Sequence, residues 1–103
     1  MLEALKSSLV TLRTAHMKIK YSPGFEKCLR KYNKDLRSKT KKKLELFLEN
    51  KRHPSLRYKK VQALKNENPP VWEISIDKDI RITLQEFDDH IYLRNIGGHK
   101  ILP

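Results

Sequence analysis

Cysteine is nearly absent from this sequence of 103 residues: Cys28 is the only one. A single thiol excludes an internal disulfide and a multi-cysteine zinc site, and it fits a reducing cytoplasm. Cys28 lies on a helical apolar stripe, where it reads as a core residue and not as a nucleophile. No apolar run approaches the roughly 20 residues that a membrane span needs, so no membrane association is expected. The first residues lack a long apolar core followed by a small-residue cleavage site, and a secretory signal is not expected either. Internal repeats and low-complexity tracts are missing. No short glycine-containing turn joins two compact helices, which argues against a helix-turn-helix.

Acidic residues are scarce. There are 12 Asp or Glu against 23 Lys or Arg, for a net charge of +11. The excess is uneven. Residues 27–65 hold 15 basic and 3 acidic side chains, a local balance of +12, whereas residues 71–103 hold 4 and 6, a balance of −2. A basic segment of this density attracts polyanions such as RNA, DNA or the ribosome, or an acidic protein. That attraction carries no sequence specificity. The plainer alternative is a solvated helix face kept soluble by its lysines.

Residues 71–103 organise the rest. Segments 72–77, 80–87 and 91–96 alternate apolar and polar residues and are separated by Asp77-Lys78-Asp79 and Asp88-Asp89. That pattern predicts a three-stranded antiparallel meander. A turn centred on Lys78 sets Ile74 opposite Ile82 and Ser75 opposite Arg81. A two-residue turn at Asp88-Asp89 sets Leu84 opposite Leu93 and Thr83 opposite Arg94. One face is then apolar (Trp72, Ile74, Ile76, Ile80, Ile82, Leu84, Ile91, Leu93) and the other polar (Glu73, Arg81, Thr83, Gln85, Tyr92, Arg94). A slip of one residue would mix the two, so the pattern specifies the register. The polar face is either ordinary solvated decoration or a working surface.

Upstream, Leu2, Leu5, Leu9 and Leu12 form one helical stripe over residues 1–14. Lys18-Ile19-Lys20-Tyr21 alternates like a short strand, and Met17 is an alternative start for the domain. Ser22 and Pro23 are helix-start chemistry, after which Phe25, Cys28, Leu29 and Tyr32 share a face. Residues 33–38 read as a weak break. A second helix is expected over 39–50, with Leu44, Phe47 and Leu48 inward and Lys39, Lys41, Lys42 and Lys43 in solvent. Pro54 ends that helix, and residues 55–65 read as irregular or weakly extended. The expected architecture is α+β: a small antiparallel sheet, made of the meander plus an N-terminal edge strand, packed by a two-helix hairpin, with an extra N-terminal helix.

Several stretches, in order, resemble the RelE/ParE superfamily of toxins from toxin–antitoxin systems. They are MKIKYSPGFEKCLRKY, a second basic helix, HPSL, VQAL, VWEISIDKDIRITLQEF and IYLRNIGGH. The most telling are the opening strand followed by a phenylalanine-led helix, the tryptophan strand running into Asp79-Ile80-Arg81, and the ending Ile96-Gly97-Gly98-His99. The resemblance spans residues 17–99, so residues 1–16 read as a helical extension and 17–103 as the toxin-like domain. It implies a metal-independent, cofactor-free and ribosome-dependent mRNA endonuclease, held inactive by a cognate antitoxin. The alternatives are a gyrase inhibitor of ParE type, which is not an enzyme, and a weakened toxin that only binds its antitoxin.

Cutting RNA through its own 2′-hydroxyl requires a base, charge stabilisation at the phosphate and an acid for the leaving oxygen. The resemblance makes Arg81 the phosphate clamp and His99 the acid or base, with Arg94 beside them. Tyr92 is placed to stack a base or touch phosphate. Lys41, Lys42, Lys43, Arg57, Lys59, Lys60 and His53 are candidate RNA or ribosome contacts. Two features depart from the family pattern. Lys100-Ile101-Leu102-Pro103 replaces the usual aromatic after the histidine, and Glu73 follows the tryptophan where many relatives carry a basic or neutral residue.

Overall fold

The computed structural model describes residues 17–98. The expected N-terminal helix and His99 lie outside the described residues. The chain runs β1 (Lys18–Tyr21), α1 (Pro23–Lys31) and α2 (Lys34–Glu49), then a 3-10 turn (Pro54–Leu56), β2 (Lys59–Lys60) and a second turn (Gln62–Leu64). It closes with β3 (Val71–Ser75), β4 (Arg81–Glu86) and β5 (His90–Gly97). The strands form one sheet in the order β1-β5-β4-β3-β2. This is the expected α+β architecture, with the meander at its centre.

Two features of the sheet differ from expectation. The N-terminal strand does join an edge, next to β5, but it runs parallel to it. Two helices separate β1 from β5 in sequence, and a connection of that length permits a parallel pair where a tight hairpin would not. The segment read as irregular contributes a fifth strand: Lys59 pairs with Glu73 and Lys60 with Trp72. Two residues are too few for an alternation to show in sequence.

The helices begin where polar side chains can cap them. Ser22 Oγ accepts from the Phe25 N–H at 3.0 Å, as its position before Pro23 suggested. Helix α2 starts at Lys34, earlier than expected, because Asn33 is a cap and not a break: its Oδ1 accepts from the Leu36 N–H at 2.8 Å. The inward stripe therefore extends back through Leu36 and Thr40 to Leu44 and Phe47. Thr40 is buried without penalty, since its hydroxyl donates to the Leu36 carbonyl at 2.8 Å. Leu48 is only half-buried.

Phe25 and Leu29 of α1 and Leu44 and Phe47 of α2 meet Ile74, Ile82, Leu84, Leu93 and Ile96 in one core on the apolar face of the sheet. Trp72 stands at the rim of this core, stacked on Tyr58 with ring centroids 4.5 Å apart. Among the described residues no helix is long and apolar enough to cross a membrane.

Register places the two faces. Ile74 opposes Ile82 and Ser75 opposes Arg81, as expected. Leu84 opposes Leu93, also as expected, but Thr83 opposes Asn95 instead of Arg94. A β-bulge between Thr83 and Leu84 inserts Arg94 as an extra residue in β5. It returns Ile96 to the core, opposite Ile82 and 2% exposed. Leu93 and Ile96 are three apart, so in an unbroken strand they would lie on opposite faces.

Candidate functional site

The second face of the sheet carries polar side chains and is nevertheless dry. Glu73 is 3% exposed, Thr83 2% and Arg81 8%, with Ser75 and Gln85 also buried. The half-solvated surface suggested by the alternation is therefore a buried polar layer. Part of the cover comes from residues 61–70. Val61 and Val71 are buried outside the main core, and Gln85 Nε2 donates to the Pro69 carbonyl at 2.7 Å.

The layer is incompletely satisfied. Glu73 Oε2, Ser75 Oγ and Thr83 Oγ1 have no hydrogen-bond partner. Glu73 opposes Thr83 and Ser75 opposes Arg81, so the three orphaned atoms belong to one patch. Buried polar groups are nearly always paired, because an unpaired one loses its water without compensation. Such a patch points away from folding and toward a function.

Positive groups surround it. Arg81 bends back over the β3–β4 turn, where Nη1 donates to the Asp77 carbonyl at 2.9 Å and approaches the Lys78 carbonyl at 3.3 Å. The same turn is stapled by Asp77, whose Oδ1 accepts from the N–H groups of Asp79 and Ile80, each at 2.8 Å. The Asp79 bond, followed by that from Ile80 and the nearby Lys39 and Arg81 charges, holds the Asp77 carboxyl below its ordinary range. Arg94 leans over the layer with its side chain 29% exposed. Its Nη1 donates to Gln85 Oε1 at 3.3 Å and faces Glu67 at 4.0 Å. Tyr92 is half-buried beside Gln85. Lys59 reaches in from the edge strand, Nζ 3.4 Å from Glu73 Oε1. The ion pair drawn by Glu73 is thus with Lys59, across the β2–β3 pairing.

The bulge is what lets Arg94 project here, and its backbone is secured. The Ser22 hydroxyl that caps α1 also donates to the Arg94 carbonyl at 2.6 Å. One side chain therefore starts a helix and satisfies the irregular point of the sheet. Neither this bond nor the bulge was read from the sequence, although the odd spacing of Leu93 and Ile96 signalled an extra residue.

Other expected contacts lie apart from the layer. Lys41, Lys42 and Lys43 are on α2, whose inward residues pack on the opposite face. His53 caps the 3-10 turn, with Nδ1 accepting from the Ser55 N–H at 3.1 Å. Arg57 is exposed at the end of that turn in the left-handed region, φ 49. Lys60 lies 5.2 Å from the Trp72 ring centroid. Tyr58, between Trp72 and Phe47, donates its hydroxyl to Glu86. Burial first, and the Glu86 bond second, push that hydroxyl well above its ordinary value. His99 lies outside the described residues. No group of three or more His, Cys, Asp or Glu that could hold a metal ion occurs among the described residues.

No protein-family model and no curated protein sequence matches this chain. Solved structures do match. The toxin–antitoxin complex DinJ–YafQ of E. coli has a TM-score of 0.68 at 16% identity, covering 84% of this chain and 97% of that one. The archaeal RelE–RelB complex from Pyrococcus horikoshii OT3 has a TM-score of 0.65 at 10% identity, covering 81% and 94%. The YoeB–YefM toxin–antitoxin complex from Staphylococcus aureus has a TM-score of 0.62 at 17% identity, covering 81% and 97%. With its mixed five-stranded sheet and two helices on one face, this chain has the fold of the RelE-like toxins.

Proposed function

We propose that the chain is the toxin of a toxin–antitoxin pair and acts as a metal-independent mRNA endonuclease on the ribosome. The observation that carries this reading is the bulge at Arg94. Removing that one residue would leave an unbroken alternation with every other β5 side chain on its present face. The sheet does not need Arg94, and the bulge sets its guanidinium against Gln85 of the buried polar layer. Bulges recur beside active sites because they re-aim a side chain. The similar solved structures are toxin–antitoxin complexes, which supports an antitoxin as partner.

The roles follow from what cutting RNA through its own 2′-hydroxyl requires. The 2′-hydroxyl gives up its proton to solvent water, and its oxygen attacks the neighbouring phosphorus. The bond to the 5′-oxygen breaks, leaving a 2′,3′-cyclic phosphate and a 5′-hydroxyl. Arg94 contacts the phosphate oxygens as negative charge builds on them, and Arg81 adds its charge from behind. His99 supplies the proton to the leaving oxygen. Tyr92 stacks the exposed base, and the basic side chains of α2 and of residues 51–60 hold ribosomal RNA by charge.

Induction of the chain without its partner, followed by growth measurement and primer extension on cellular mRNA, tests the proposal. Growth arrest with mRNA cut at defined positions, relieved by Arg94→Ala and by His99→Ala, is expected. Arrest with intact mRNA and a DNA-damage response would overturn it in favour of gyrase inhibition.

A further inference from the structure

Glu73 is the one residue of the polar layer that opposes the proposed chemistry. A carboxylate beside a phosphate site repels the substrate. This one is 3% exposed, and its Oε2 has no hydrogen-bond partner. Its ion pair is with the exposed Lys59, at 3.4 Å. An ionised group so deeply buried, with one partner and one orphaned oxygen, is poor value for folding. A neutral side chain of the same shape would serve the sheet better. Folding therefore does not account for Glu73.

We propose that Glu73 is a positioning residue that fixes the Lys59 ammonium over the polar face for a phosphate of bound RNA. The inference rests on the endonuclease reading. A lysine stem has four rotatable bonds, and an exposed one loses considerable entropy when a substrate immobilises it. Glu73 is held by the sheet on both sides, opposite Thr83 on β4 and opposite Lys59 on β2. Its Oε1 is a stationary anchor for the ammonium. Three N–H donors let Lys59 keep Glu73 and donate to a phosphate oxygen at the same time. The neighbouring pair uses the same device on the other face. Lys60 opposes Trp72 and lies 5.2 Å from its ring centroid, within the range of a cation–π contact. Trp72 is itself backed by Tyr58. Consecutive residues of β3 thus hold consecutive lysines of β2, and only the Glu73–Lys59 pair faces the layer beneath Arg94. The cation is arranged before the substrate arrives, as preorganised charge stabilisation requires.

The sign of one substitution separates positioning from simple repulsion. Glu73→Gln keeps the shape and raises the net charge by one, so repulsion predicts faster cleavage and positioning predicts slower. Wild type, Glu73→Gln, Lys59→Met and the double variant are compared for kcat/KM in mRNA cleavage on programmed ribosomes, with Tm measured in parallel. Lys59→Met is expected to lower kcat/KM about tenfold, and Glu73→Gln by nearly as much, at a Tm equal to or above wild type. The double variant should fall no further than Lys59→Met alone. Glu73→Gln cleaving as fast as wild type or faster overturns the inference, as does a double variant in which the two losses multiply. Both results leave the endonuclease reading standing, whereas a wild-type protein that cuts no mRNA removes that reading and this inference together.

Discussion

The two faces of the central sheet are equally dry and very differently finished. On one, Ile74, Ile82, Leu84 and Leu93 are sealed under two helices, and the buried Thr40 hydroxyl there donates to the Leu36 carbonyl. On the other, Glu73, Ser75 and Thr83 each bury a polar atom that nothing meets. Removal from water therefore does not distinguish core from site here. What distinguishes them is whether burial leaves each group in its cheapest state. The first face is arranged for stability, and the second keeps a cost that folding alone would have removed.

Paired substitutions on one strand would break this comparison most directly. Leu84→Ala empties a fully buried position and should cost about 2–5 kcal/mol, read as a fall in the denaturation midpoint. Deleting Arg94 should leave a folded sheet, with Tm lowered by only a few degrees, but reduce mRNA cleavage by about 100-fold. A deletion variant that unfolds would mean that the bulge belongs to the core after all. Ser22→Ala, which removes both the α1 cap and the donor to the Arg94 carbonyl, should cost about 1–2 kcal/mol in thermal or denaturant unfolding.

Smaller effects sharpen the boundary. Tyr58 sits at the rim, and its hydroxyl is raised above its ordinary value of 10.0 by burial and by the bond to Glu86. A raised folded value means that the stabilisation is complete below pH 10 and is lost as pH rises beyond it. Tyr58→Phe should therefore flatten the alkaline limb of the stability curve, as read from Tm at several pH values. Thr83→Val, which removes an unpaired hydroxyl, should leave Tm unchanged or slightly raised. A loss above about 1 kcal/mol would mean that the hydroxyl has a partner in solution.

Much of this was legible in the sequence because strands have a period of two. The alternation through Ile74, Ile76, Ile82 and Leu84 placed the meander, its first turn and its apolar face. Ser22-Pro23 marked the start of α1. The fifth strand was not legible, since Lys59 and Lys60 alone carry no period. Helix α2 began early because Asn33 both interrupts a stripe and caps one, and composition does not separate those uses. The parallel sense of β1 depended on a long connection that no local pattern encodes.

The candidate site divides the same way. Sequence alone established the charge asymmetry, the two-faced sheet and a polar set containing Arg81, Thr83, Gln85, Tyr92 and Arg94, because these follow from residue type and alternation. Only the tertiary structure decided that this set is buried and that Arg94 is an inserted residue. It also decided that Glu73 answers to Lys59 across the β2–β3 pairing. Those outcomes depend on which strand lies beside which and on what the segment 61–70 covers. They are long-range contacts, and no local stretch of the chain specifies them.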